Sequence, residues 1–97
     1  MVPPLKILHQ PDSFVDAYNN LAAMCISLGK KKEAIVLYKQ VLTFGPDYSL
    51  AHNNLAVVYF KEKQYAFAIK HYNRALKLGY NVEPKFRELI NSLKHRD

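Results

Sequence analysis

Ninety-seven residues make one domain at most, with a core that needs regular packing to be stable. An apolar content of 49% with only three Gly and five Pro excludes a disordered linker, and one cysteine, Cys25, excludes an internal disulfide framework. The net charge of +6 is uneven: residues 61–97 hold nine Lys or Arg against four acids, residues 1–60 five Lys against four. That asymmetry fits a solvated helical surface or an acidic partner. No stretch approaches the roughly 20 apolar residues that span a bilayer, and the first fourteen residues lack the apolar run of a secretory signal. With a single thiol, the chain reads as a soluble, cytoplasmic protein.

Residues 1–14 read as an N-terminal extension or the remnant of a preceding repeat. There Leu5, Ile7 and Leu8 stand ahead of Pro11 and Asp12 as Val41, Leu42 and Phe44 stand ahead of Pro46 and Asp47, though the spacing to the next helix differs by one residue. In residues 15–48, Tyr18, Leu21, Ala22, Cys25 and Leu28 recur at spacings of three and four and predict one helix. Ser13 followed by Asp16 resembles a capping box at its start, and Gly29 can end it in the left-handed conformation. Ala34, Ile35, Tyr38, Val41 and Leu42 predict a second helix, closed by Gly45 and Pro46 on the same logic.

Residues 49–82 repeat the plan. Asp47 or Ser49 can open a third helix bearing His52, Leu55, Ala56 and Tyr59, and Ala68, Ile69, Tyr72, Ala75 and Leu76 mark a fourth. Lys63 stands where Gly29 stood, so this turn is less comfortable. In residues 83–97 an amphipathic helix with Phe86, Leu89, Ile90 and Leu93 on one face reads as a cap, Pro84 being tolerated in its first turn.

The two central segments are copies of one unit, since AYNNLA at residues 17–22 recurs as AHNNLA at 51–56, an offset of 34. The same offset pairs Ala34 with Ala68, Ile35 with Ile69, Tyr38 with Tyr72, Leu42 with Leu76 and Gly45 with Gly79. The spacing Tyr18-x2-Leu21-Ala22-x2-Cys25, Ala34-x3-Tyr38, Pro46, and then His52-x2-Leu55-Ala56-x2-Tyr59, Ala68-x3-Tyr72, Tyr80, resembles the tetratricopeptide repeat. Cys25 and His52 replace aromatics of that pattern, Lys63 a glycine and Tyr80 the proline. The resemblance implies an all-α fold: an α-solenoid of two helix-turn-helix repeats plus a C-terminal capping helix. The alanines read as small because helices cross closely there.

No chemistry-bearing constellation accompanies the repeat. His9, His52, His71 and His95 are scattered with no two at helical ligand spacing, there is no phosphate loop or nucleophile elbow, and no carboxylates pair as acid and base. The chain therefore reads as a non-enzyme with no metal and no cofactor. Cys25, on an apolar stripe, reads as a small buried hydrophobe. His52 reads as packing in an aromatic's place, and His71 as packing or solvated.

The resemblance further implies that the first helix of each pair lines a concave groove taking a peptide or protein segment. Asp16, Asn20, Ala23 and Ser27 would line it, then Leu50, Asn54, Val57 and Lys61, then Glu88, Asn91 and His95. Asn20 and Asn54 stand out, because an amide both donates and accepts and so matches any extended backbone. A known subfamily grips C-terminal carboxylates of chaperones with cations; the places concerned hold Asn19, Ala23, Asn54, Pro84 and Glu88 here, which lacks those cations. Two other readings are a self-assembling module whose uncapped N-terminal end meets another copy or a missing upstream repeat, and an acidic or nucleic-acid partner for residues 61–96. Nucleic acid is the weakest, because many aromatics among the basic residues are required by the helices, and a steep salt dependence would mark it.

Overall fold

The computed structural model describes residues 11–94, with side chains from residue 14 onward. The expected N-terminal remnant with Leu5, Ile7 and Leu8, the side chain of Ser13, and His9 and His95 lie outside the residues so described. Five α-helices are present among them: α1 Pro11–Ser27, α2 Lys31–Phe44, α3 Ser49–Lys61, α4 Tyr65–Lys77 and α5 Pro84–Lys94. The chain divides after Tyr48 into two compact units, one holding α1 and α2, the other α3 to α5. This is the all-helical repeat that the periodicity predicts.

In the first unit α1 and α2 pack as a hairpin. The buried line of α1 is Val15, Asn19 and Ala22, and that of α2 is Ala34, Tyr38 and Val41. Both lines have spacings of four and three, the signature of one helical face. Ala22 and Ala34 have no accessible surface, so their methyl groups are the largest side chains the site admits without a shift. Phe14 lies against Phe44 at 6.2 Å between ring centres, and the Tyr48 hydroxyl donates to Asp16 Oδ1 at 2.6 Å.

The apolar stripe expected on α1 is only partly inside. Ala22 is buried and Tyr18 and Cys25 are half-buried, but Leu21 and Leu28 are 45% and 66% exposed. Adjacent residues on a helix lie about 100° apart, so Leu21 stands off the line through Ala22 that packs.

In the second unit α3 buries two adjacent lines, Ala51, Leu55 and Val58 beside His52, Ala56 and Tyr59. On α4, Ala68, Tyr72 and Ala75 are inside. Helix α5 packs on α4 through Phe86 and Ile90. The Phe86 ring meets Phe60 and Tyr72 edge-on at 5.8 and 6.1 Å, arrangements that aromatic quadrupoles favour. Lys94 ties the far end, its ammonium 2.9 Å from Asn73 Oδ1 and 5.1 Å from the centre of the Tyr72 ring. Leu89, expected on the apolar face of α5, is exposed.

Three helices end alike. After α1 the Gly29 N–H donates to Ile26 O at 2.9 Å and the Lys30 N–H to Cys25 O at 2.8 Å, the paired bonds of a Schellman turn. After α3 the pairs are Lys63 to Phe60 and Gln64 to Tyr59; after α4, Gly79 to Leu76 and Tyr80 to Ala75. The central residue is left-handed each time, with φ of 79° at Gly29, 64° at Lys63 and 89° at Gly79. Gly45 departs from expectation. Its φ is −134°, so it does not end α2 by left-handedness. Space does not demand glycine there either, since a Cβ would stand 3.4 Å from Val15 Cγ2, an ordinary van der Waals contact.

The helix starts also differ from expectation. Because α1 is already helical at Pro11, Ser13 lies inside it and cannot open it as a capping residue, and Ser49 is itself the first residue of α3. Lys30 and Gln64, ahead of α2 and α4, make no side-chain capping bond.

Lysine at a left-handed position costs more than glycine there, partly offset by glycine's freedom in the unfolded chain. Lys63→Gly should stabilise the protein by about 0.5–1 kcal/mol, a rise of a few degrees in thermal midpoint. Gly29→Ala should lower stability by about 1 kcal/mol through the backbone alone, since nothing lies within 4 Å of the added methyl group. Unchanged midpoints would show that these turns carry no strain. Cys25 is half-buried rather than fully enclosed, so its thiol should react several-fold more slowly with a soluble disulfide reagent in the native protein than in denaturant; equal rates would place the sulfur in open solvent.

Candidate functional site

The solvent side of α1 is built by exclusion. With Val15, Asn19 and Ala22 turned to α2, helical geometry leaves Asp16, Asn20, Ala23 and Ser27 outside, and all four are exposed. Asp16 is held by the Tyr48 hydroxyl, and the Ser27 hydroxyl donates to the Ala23 carbonyl at 3.4 Å. Asn20 stands between them with its amide in solvent.

A second line was missed by sequence reasoning. Leu21, Met24 and Leu28 run beside the polar line, all of them exposed large apolar side chains. The signal was present in their spacing of three and four, but the same spacing describes a core stripe, and Leu21 and Leu28 were read that way. Polar and apolar lines side by side give α1 hydrogen-bonding groups next to surface that gains by leaving water.

On α3, Leu50, Asn54 and Val57 are half-buried and Lys61 is exposed. The spacing of four, three and four again puts them on one face of their helix. Asn54 already has a bonded or electrostatic partner within the protein, so its amide is less available than that of Asn20. The neighbouring amides turn inward: Asn19 is buried, and Asn53 Oδ1 is enclosed without a hydrogen-bond partner. Of the third set, Glu88 and Asn91 are exposed on α5.

The basic residues of the second unit are partly spent on its own packing. Lys94 bonds Asn73 and lies over Tyr72, and the Arg87 guanidinium donates to the Val82 carbonyl at 3.4 Å. Arg74 and Lys77 fall in the last turn of α4, where cations complement the helix dipole. Among the described residues no three of His, Cys, Asp and Glu come together as a metal site would require, and no helix is long and apolar enough to cross a membrane.

Two family models match this chain, one described as Tetratricopeptide repeat over residues 49–78 and one as TPR repeat over residues 22–63. A curated relative, Tetratricopeptide repeat protein 6 of Homo sapiens, is 36% identical over 50 residues, which is 52% of this chain and 10% of that protein. The chain thus spans about a tenth of the length of the relative. The matched segments together run from residue 22 to residue 78, from the end of α1 through α4, and take in the turns at Gly29 and Lys63 and the buried Ala22, Ala34, Ala56 and Ala68; the chain belongs to the tetratricopeptide repeat family.

Proposed function

We propose that this chain is a protein-interaction scaffold that binds a peptide or protein segment on the outer face of the first helix of each repeat. Tetratricopeptide repeats generally mediate contacts between proteins, and the family is one of non-catalytic scaffolds. What carries the reading here is the surface of α1, where exposed Asn20, Ala23 and Ser27 run beside exposed Leu21, Met24 and Leu28. An extended segment laid along such a face bonds its backbone to the Asn20 amide and covers apolar side chains as it does so. Two small residues keep the approach open for backbone. Asn54, Val57 and Lys61 serve in the same way on α3, and Asn91 on α5.

The amides set orientation more than affinity. One hydrogen bond adds about 0.5–1.5 kcal/mol net, so Asn20 and Asn54 together account for about 1–3 kcal/mol, and the rest comes from apolar contact. Panning a random-peptide library against the whole chain should yield ligands whose binding weakens about ten-fold or more in the Asn20→Ala, Asn54→Ala variant. The variant should keep its helical circular dichroism and thermal midpoint. Unchanged affinity would remove the amides from the site, and a large fall in midpoint would make them packing groups instead.

A further inference from the structure

The second helix of each unit turns one line of side chains away from its partner. On α4 the buried residues are Ala68, Tyr72 and Ala75, and His71 borders them with its Nδ1 3.1 Å from His52 Nδ1 on α3. Helical geometry sets Phe67, Lys70, Arg74 and Lys77, at spacings of three and four, on the opposite side, and all four are exposed. Offset by 34 residues, the first unit holds Glu33, Val36, Gln40 and Thr43 at these places on α2, also exposed. The repeat plan therefore asks for no positive charge on this line. One copy fills it with an acid and neutral residues, the other with three cations and an aromatic ring.

The cations reinforce one another. Successive ones stand about 6 and 4.5 Å apart along the helix axis, inside the screening length of about 8 Å in physiological salt, so their fields add. Neither α3 nor α4 contains an Asp or Glu, and the described acids of the unit, Glu62, Glu83 and Glu88, lie in the turn after α3, ahead of α5 and on α5. Like charges three and four residues apart cost a helix stability. The helix dipole offsets that cost for Arg74 and Lys77 in the last turn, but not for Lys70 in the middle of α4. Arg74 already has a bonded or electrostatic partner within the protein, which leaves Lys70 and Lys77 as the main cations of the face. Phe67, 49% exposed and with one side of its ring against Tyr59 at 5.2 Å, adds apolar surface at the start of the line.

We propose that the outer face of α4 docks an acidic protein segment, Lys70 and Lys77 meeting carboxylates about two helical turns apart and Phe67 covering an apolar residue beside them. Charge complementarity selects the sign of the partner, and the number of cations selects its class. Proteins commonly hold duplex nucleic acid through about 6–10 phosphates, and anionic membranes through clusters of about 4–8 cations. A line of three falls short of both, and on the neighbouring α5 Lys94 and Arg87 are turned to Asn73 and the Val82 carbonyl. A second copy offers no acidic surface, since residues 1–60 hold five Lys against four acids and the whole chain carries +6. The face belongs to the second helix of its pair, so it is a site apart from the amides on α1 and α3.

The test is fluorescence anisotropy of a labelled synthetic peptide, with Glu on successive helical turns and Leu one turn further, titrated with the whole chain. Wild-type protein should bind it, and the Lys70→Glu, Lys77→Glu variant should bind about ten-fold more weakly or worse. The control is Lys32→Glu, Lys39→Glu, which reverses two exposed lysines at the same spacing on α2 and changes the net charge equally; it should stay within about two-fold of wild type. Equal losses in the two variants would reduce the binding to net charge and overturn the proposal, as would a wild type that does not bind. Tighter binding of a short DNA duplex or of phosphatidylserine vesicles, lost on reversal of Lys70 and Lys77, would overturn it in favour of another class of partner. The Asn20→Ala, Asn54→Ala variant should bind this peptide as wild type does, and a loss there would move the peptide to the first helices and refute the assignment to α4. If charge reversal lowers the helical circular dichroism, the Lys70→Gln, Lys77→Gln variant takes its place, with a loss of about three-fold or more expected.

Discussion

The helix pairs of this protein depend on four methyl groups. Ala22 and Ala34 in the first unit, and Ala56 and Ala68 in the second, are wholly inside and stand at matching places in the two copies. Small side chains let two helices approach closely, and the larger Tyr38 and Tyr72 fill the space alongside. In a hairpin of two short helices the buried area is modest, so the contact has to be dense to be worth its conformational entropy. The left-handed turn at Gly29 or Lys63 serves the same end, since it brings the second helix back along the first within three residues.

The surface follows from the same constraint. Once Val15, Asn19 and Ala22 are committed to α2, the remaining face of α1 is decided by helical geometry, and Asn20, Ala23 and Ser27 fall outside with Leu21, Met24 and Leu28 beside them. The outer face is therefore a by-product of packing that is free to vary in chemistry. That freedom suits a scaffold, in which one backbone plan presents different side chains to different partners.

Equivalent positions in the two copies need not do the same work. Leu21 is 45% exposed and its counterpart Leu55 has no exposure. Gly79 is left-handed, with φ of 89°, while its counterpart Gly45 has φ of −134°. The copies share a helix plan, but each side chain answers to whatever lies next to it, and those neighbours are not repeated.

The helices, their pairing and the family were legible in the sequence because each rests on local or periodic signals: apolar spacings of three and four, glycine at a left-handed turn, and self-similarity at an offset of 34. The polar line of α1, Asn20, Ala23 and Ser27, was legible for the same reason, but the exposed line Leu21, Met24 and Leu28 beside it was not. What periodicity could not say is which of two adjacent lines goes inside. Leu21 and Ala22 are neighbours in the chain, and only the position of α2 makes one core and the other surface. The meeting of His52 and His71 was hidden for a related reason. They lie 19 residues apart on different helices, and ligand or partner spacing can be read along one helix but not across two. Local order is written in the chain, whereas burial and cross-helix contact depend on the relative placement of elements, which only the tertiary structure decides.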